Sequence, residues 1–442
     1  MSWLEDYKKL LSFKSISAES EHQQDLVQCL KWIQAYVEAI GFKTEVWETE
    51  GHPVLFASWL QAPGKETLLI YNHYDVQPVD PLELWKTPPF EPTVRDNTIY
   101  ARGAQDNKGQ LFYTLLALKS LWEKKGAFPL NLKLIIEGEE EIGSLHLPPV
   151  LKKHASQLQA DHLAIVDCGI PGPGTPAVSL GVRGIVTLEI EVKGTETDLH
   201  SGSHGGLAYN PIFALVEILA SAKDPYGKVA IPGFYDDIEE LSEEEKKSLS
   251  FDFNEEQYKR EFGAHPTGGE RHLHPLERNW LRPTFEVNGI IGGYTGKGFK
   301  TVIPAKASAK ISCRLVRGQD PEKIGPLVAS FLKAHRRPGF DVTVHLHAGS
   351  GPAVLSSPLS PTVQAFAKAF TATFNKPCQY TLEGGSIPIV SSLQKASRAP
   401  VVLVGLALPS DQIHAPNEHF SLDRIEKGRE IMILAIENLA LG

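Results

Sequence analysis

"LLIYNHYDVQPVD", residues 68–80, decides how the rest of the chain is read. It begins as an apolar strand, Leu68, Leu69 and Ile70, and ends with His73 and Asp75 two residues apart. Residues i and i+2 of an extended segment project to the same face, so an imidazole and a carboxylate stand side by side at the strand's end. Such a pair either holds a ligand or merely forms a salt bridge.

The segments on either side alternate in kind. "HQQDLVQCLKWIQAYVEAIG" reads as a helix closed by Gly41, "KTEVWET" and "VLFASWL" as strands, "DNKGQLFYTLLALKSLWEKKG" as a helix, and "NLKLIIEGEEEIGS" as another strand. This alternation predicts an α/β layer whose sites collect at strand C-termini. Near residue 183 the pattern changes to the period-2 alternation of "GIVTLEIEVKG", followed by the helix "PIFALVEILASA". The strands "ASAKISCRLV" and "DVTVHLHAG" flank the helix "PEKIGPLVASFLKAHRR", which makes a small α+β unit. The acidic stretch 236–260 reads as a solvated elaboration of it. From about residue 352 the α/β style resumes, with the helix "PTVQAFAKAFTATF", the strand "PVVLVGLA" and a last helix over "IEKGREIMILAIENLAL". The expected organisation is one domain interrupted by another: residues 1–182, an insert over 183–350, and 351–442.

A length of 442 residues favours two domains, and 42% hydrophobic with 22% charged residues is ordinary for a globular protein. A net charge of -9 argues against a nucleic-acid or anionic-membrane surface. No apolar run approaches the roughly 20 residues of a membrane span, and "MSWLEDYKKLLSF" reads as an amphipathic helix, not a leader. Cys29, Cys168, Cys313 and Cys378 lie far apart without CxxC spacing, so a reducing, cytoplasmic setting is expected.

Other strand ends also carry polar residues. Asp106 in "RGAQDNKGQ" precedes a helix and could be its N-cap, although Gln105, Asn107 and Lys108 add more polar density than capping needs, and Gly109 suggests tight backbone geometry. Glu139, Glu140 and Glu141 follow "LKLII" and could complement a helix dipole, yet adjacent uncompensated carboxylates repel and attract a cation. Asp167 ends "HLAIVDCG", and His414 lies in the loop "SDQIHAPNEHF", where a histidine is usually only a surface residue. The argument lies in convergence. Two imidazoles and several carboxylates, His73, Asp106, Glu140, Glu141, Asp167 and His414, make a mixed N/O set suited to zinc, manganese or cobalt. One carboxylate could bridge two ions, and Asp75 could accept the other ring N–H of His73 and aim it.

With "HYDVQP", "RGAQDNKG", "EGEEEIGS", "VDCG", "TDLHSGSHGG", "TVIPAKASAKISCRLV", "EGGSIPIV" and "HAPNE" in order along nearly the whole length, the chain resembles the M20 metallopeptidases, most nearly their carnosinase-like, non-specific dipeptidase branch. The resemblance implies a zinc-peptidase-like mixed sheet flanked by helices, with the insert as a lid and dimerisation domain. It implies that His73 and Asp167 bind one divalent ion, Glu141 and His414 a second, with Asp106 bridging the two, and that the peptide bond from Asp106 to Asn107 is cis. It further implies Glu140 as general base, zinc first among the metals, a homodimer in which His200 reaches the partner's site to stabilise the oxyanion, and a dipeptide substrate. Its terminal carboxylate is expected to be gripped by Arg314 and the turn around Gly385 and Ser386, with Asn288 nearby; His204 has no assigned role. Hydrolysis of N-acyl or N-succinyl amino acids is the alternative on the same ligands. A metal-free binding protein would be expected to have lost a ligand or the base, and here every matching position carries a competent side chain.

Overall fold

The computed structural model describes residues 3–387 and 389–441. A nine-stranded mixed sheet organises the chain. At its centre four strands lie side by side in the order Asn131–Glu137, Thr67–His73, His162–Val166 and Val401–Val404, each parallel to its neighbour. Their C-terminal ends therefore share one edge. Antiparallel strands flank these, Lys43–Trp47 and Val54–Trp59 on one side and Ala177–Val182 on the other, and Val354–Leu355 (antiparallel) and Gln379–Glu383 (parallel) pair with the last of them.

The apolar run that opens the quoted segment is explained by burial on both faces. Leu68 and Ile70 enter a core shared with the helices Gln23–Glu38, Lys108–Lys125 and Leu422–Leu441. Leu69 and Tyr71 point the other way, into a core shared with Leu147–Lys153 and Ile389–Ser397. Full burial of such side chains stabilises by roughly 1.5–3 kcal/mol each, so the strand is anchored up to Tyr71, two residues before His73.

After Val182 the chain leaves this sheet and builds a separate four-stranded antiparallel one, ordered Thr284–Gly292, Lys306–Leu315, Gly184–Lys193, Asp341–Leu346. Val186, Leu188, Ile190 and Val192 alternate inward against the helices Pro211–Ser221 and Pro321–Ala334, the period-2 signature expected of a half-buried strand. The acidic stretch forms the short helices Glu243–Ser248 and Glu255–Phe262, neither with a fully buried residue. The chain rejoins the large sheet at Val354–Leu355.

One expected element differs. The strand Asn131–Glu137 stops at Glu137 and does not run on to Ser144; Glu140–Ile142 is a single 3-10 turn. The physical reason is Asp75, whose carboxylate accepts the backbone N–H of Glu140 (3.2 Å) and of Glu141 (3.1 Å), bonds a continuing strand could not make. Gly138 permits the bend, since a Cβ there would lie 2.5 Å from the Tyr74 hydroxyl.

Candidate metal centre

Four loops leave the shared edge, and their polar residues meet. His73 Nε2 lies 3.3 Å from Asp106 Oδ1, 3.6 Å from Asp167 Oδ1 and 3.9 Å from Glu140 Oε2. His414 Nε2 lies 2.9 Å from Asp106 Oδ2 and 3.1 Å from Glu141 Oε2. Two trios result, His73–Asp106–Asp167 and Asp106–Glu141–His414, each with its ligand atoms within 4.8 Å of one another. Asp106 belongs to both and turns one oxygen toward each histidine.

The N-cap reading of Asp106 is excluded: helix Lys108–Lys125 has Asn107 at its cap position and no side-chain cap bond. Asp106 is placed from outside the sheet. The short strands Thr98–Tyr100 and His419–Ser421 pair, setting Glu418 beside the turn after Tyr100. The buried Glu418 carboxylate accepts from Arg102 Nη1 (2.8 Å) and from the backbone N–H of Gly103 (2.8 Å), Gln105 (2.9 Å) and Asp106 (3.0 Å). The Asp106–Asn107 peptide is cis, as expected. Asn107 Nδ2 donates to Asp167 Oδ1 at 2.6 Å, and Asn107 Oδ1 accepts from Asn72 Nδ2 at 2.8 Å, tying the turn to two strand ends. Gly109 lets the helix start there, as a Cβ would lie 2.1 Å from the Ala104 carbonyl oxygen.

His73 is aimed from behind. Its Nδ1 lies 3.2 Å from the Asp75 carbonyl oxygen and 3.3 Å from Asp75 Oδ1, both residues being fully buried. Asp75 thus serves two tasks, fixing the ring and holding the backbone of Glu140 and Glu141. Gln77 Nε2 donates to Glu141 Oε2 at 2.9 Å. Neither Glu418 nor Gln77 stood out in the sequence beyond the motifs containing them.

The electrostatics of the cluster follow from crowding in a partly dry site. Burial, joined by the charges of Asp167, Glu141 and Asp106, pushes the Glu140 carboxyl well above its usual range. Burial and Asp106 push Glu141 up to about 7. Burial alone would raise Asp106, but His414 and His73 hold it well below the usual carboxylate range. Hydrogen bonds to Asp106 and Glu141 raise His414 to about 10. His73 is held well above the imidazole range by Asp167, Asp106 and Asp75 against the opposing effect of burial.

The donor set fits divalent cations. His73 Nε2 and Glu141 Oε1 are buried without a hydrogen-bond partner, although such groups are normally satisfied. His73 Nε2 faces Asp106 and Asp167, Glu141 turns its other oxygen, Oε2, to His414, and a mixed imidazole and carboxylate set suits a borderline or hard cation.

The remaining expected residues lie apart from this cluster. Arg314 is half-buried, and its side chain forms no ion pair or hydrogen bond among the described residues; burial lowers its guanidinium. Ser386 Oγ donates to the Gly184 carbonyl (3.0 Å), and the Gly385 carbonyl accepts from the Arg183 amide. Asn288 is exposed at a bulge in the edge strand. His200 is exposed in the inserted unit, where its Nδ1 accepts from the Gly202 and Ser203 amides (3.1 and 3.3 Å) and Nε2 lies 3.4 Å from Thr301 Oγ1. Within one chain it makes no contact with the metal-ligating trios.

A model of peptidase family M20/M25/M40 matches residues 69–438. The chain is 31% identical over 454 residues to the Cys-Gly metallodipeptidase dug1 of Schizosaccharomyces pombe, covering 98% of this chain and 94% of that protein. It is 31% identical over 375 residues to the human Beta-Ala-His dipeptidase, covering 83% and 73% respectively. Among solved structures, an M20 family metallo-carboxypeptidase, Sso-CP2 of Sulfolobus solfataricus, superposes with a TM-score of 0.90 at 34% identity over all of both chains.

Proposed function

We propose that this chain, which belongs to peptidase family M20/M25/M40, is a metal-dependent dipeptidase. The observation that carries the reading is the pair of ligand trios sharing Asp106 at the common edge of four parallel strands. His73 and Asp167 would hold one divalent ion, Glu141 and His414 the other, and Asp106 both, with zinc first and manganese or cobalt as alternatives. Ions held there would supply a water acidified toward neutrality and a Lewis acid for the amide carbonyl. Glu140, within 3.9 Å of His73 yet outside both trios, takes the proton of the attacking water and returns it to the departing amine. Its upward push by burial and neighbouring acids suits a group that must give the proton back.

The Arg314 side chain lacks an acidic partner among the described residues and offers a planar fork to a terminal carboxylate; it pairs in register with Ile185, next to the Gly184 whose carbonyl accepts from Ser386. Asn288 lies on the same inserted sheet. A homodimer is supported by the outer edge of that sheet: Thr284–Gly292 is unpaired on one side, and Ile290, Ile291 and Phe213 are 51%, 63% and 63% exposed. Pairing of two such edges would leave His200 free to serve the partner's site, where its imidazole would stabilise the oxyanion.

The test is hydrolysis of Ala-Ala, a β-alanyl dipeptide, a tripeptide, and N-acetylated and N-succinylated amino acids by metal-stripped enzyme with and without zinc or manganese. Dipeptide cleavage appearing only with metal is expected. Cleavage confined to the acylated substrates would overturn the dipeptide reading in favour of amidohydrolysis, and a tripeptide preference would favour carboxypeptidase action. Copurification of fewer than two metal equivalents per chain would remove the binuclear assignment.

A further inference from the structure

The turn over residues 384–386 follows the strand Gln379–Glu383 and is fastened to a single residue of a distant segment. Arg183 joins the large sheet's strand Ala177–Val182 to the first strand of the inserted sheet, Gly184–Lys193. Its backbone N–H donates to the Gly385 carbonyl (3.1 Å), and its side-chain Nε donates to the Gly384 carbonyl (2.7 Å). The next residue adds a third tie, the Gly184 carbonyl accepting from Ser386 Oγ at 3.0 Å.

These bonds fix two consecutive peptide planes. A peptide unit is planar, and in its trans form the N–H points opposite to the carbonyl; both peptide bonds of the turn are trans. Holding the Gly384 carbonyl therefore directs the Gly385 N–H away from Arg183, and holding the Gly385 carbonyl does the same for the Ser386 N–H. Neither N–H has an acceptor among the described residues, and Gly385 is exposed. Successive N–H groups turned to one side form an anion-receiving concavity. Glycine at 384 is demanded by the same packing: a Cβ there would lie 2.5 Å from the Asn279 side chain, whose Oδ1 accepts from Arg183 Nη2 at 3.2 Å.

The charge behind the turn is not neutralised. Arg183 is 9% exposed, and its side chain meets only neutral acceptors, with no carboxylate partner among the described residues. Burial and the charge of Arg314 lower its guanidinium to about 10, which leaves it cationic at neutral pH. A buried cation without an acid favours an anion close by.

We infer that Arg183 is a positioning residue for the substrate: by pinning the Gly384 and Gly385 carbonyls it aims the Gly385 and Ser386 N–H groups at the dipeptide's terminal carboxylate. The inference rests on the reading that this turn, with Arg314, receives that carboxylate, and it names the residue that makes the turn able to do so. A change at Arg183 should then weaken binding of carboxylate-bearing substrates and leave the chemical step at the metal cluster nearly intact.

The test compares Ala-Ala with its C-terminal amide, which lacks the carboxylate, in the metal-loaded wild-type enzyme and in Arg183→Met and Arg183→Lys. The wild-type enzyme should prefer Ala-Ala in kcat/KM. In Arg183→Met that preference should shrink at least about tenfold, the equivalent of one charge-assisted hydrogen bond, through a raised KM for Ala-Ala at nearly unchanged kcat. Arg183→Lys keeps the charge, but one amine cannot span the Gly384 carbonyl and Asn279 as a planar fork does, so it should lose part of the preference. Melting curves report folding, and Arg183→Lys decides if Arg183→Met does not fold. Equal cleavage of Ala-Ala and its amide by the wild-type enzyme would overturn the carboxylate grip and the inference with it. A preference kept in full by either folded variant, or a fall in rate equal for the two substrates, would overturn the role of Arg183 alone and leave it a residue that holds the fold.

Discussion

Glu19, Glu21 and His22 gather near the N-terminus much as His73, Asp106 and Asp167 do at the sheet edge, with ligand atoms within 4.8 Å in both trios. The resemblance ends at the surroundings. The Glu21 and Glu19 side chains are 81% and 33% exposed, and water screens their mutual repulsion. The His73, Asp106 and Asp167 side chains are 0%, 15% and 9% exposed, and two further carboxylates crowd them. Residue type and spacing are alike. What distinguishes the sheet edge is that its charge cannot be left to solvent, and that Asp75, Asn107 and Glu418 hold its members in place from behind. By this contrast an acidic cluster becomes a metal site through burial and orientation, not through composition.

The strongest way to sharpen the contrast is to separate binding from chemistry within the buried cluster. Glu140→Gln preserves shape and removes the base, so kcat should fall by on the order of 10²–10⁴ while the metal content of the purified protein is unchanged. Loss of metal along with activity would make Glu140 a ligand and collapse the division of roles.

Protonation tests the same cluster. His414, raised to about 10, and His73, held well above the imidazole range, must each lose a proton before a ring nitrogen can coordinate. Metal loading at neutral pH should therefore release protons, and apparent affinity should rise about tenfold per pH unit for each proton released. For the metal-free chain the sign reverses. A histidine raised in the folded state stabilises fully below its ordinary value of 6.5, and that contribution is lost as pH rises to about 10. Calorimetry in buffers of different ionisation enthalpy counts the protons. A pH-independent affinity between pH 6 and 8 would show that the imidazoles are already neutral.

A smaller effect is expected where support is removed without touching a ligand. Asp75→Ala takes away the partner of His73 Nδ1 and the acceptor of two amides. Metal affinity should drop about 10–100-fold, with turnover largely restored at saturating metal. An unchanged affinity would reduce Asp75 to a fold residue.

Much of this was legible because it is local. A strand buried on both faces must be an apolar run, so its last residues announce the sheet edge, and His73, Asp167 and the glutamates were found that way. Asp106 needed more, because an aspartate before a helix looks like a cap, and only the distant pairing of His419–Ser421 with Thr98–Tyr100 reveals what turns it away. Glu418 lies 312 residues from the Asp106 amide it accepts, a separation no periodicity encodes. The end of the strand at Glu137 was misread for the same reason, since the carboxylate that captures the Glu140 and Glu141 amides belongs to Asp75, just past the end of the neighbouring strand.

The exposed trio supplies the control. His22 already has Asp25 at 2.9 Å on Nδ1, and its Nε2 is 3.4 Å from Glu19, so both ring nitrogens have acidic partners without a cation. His22→Ala should leave the metal content unchanged and activity within about twofold, and its effect on stability should stay near the 0–1 kcal/mol of an exposed ion pair. Loss of one metal equivalent in this variant would break the comparison at its root. Exposure would then be no barrier to coordination, and burial could no longer be the feature that separates the two clusters.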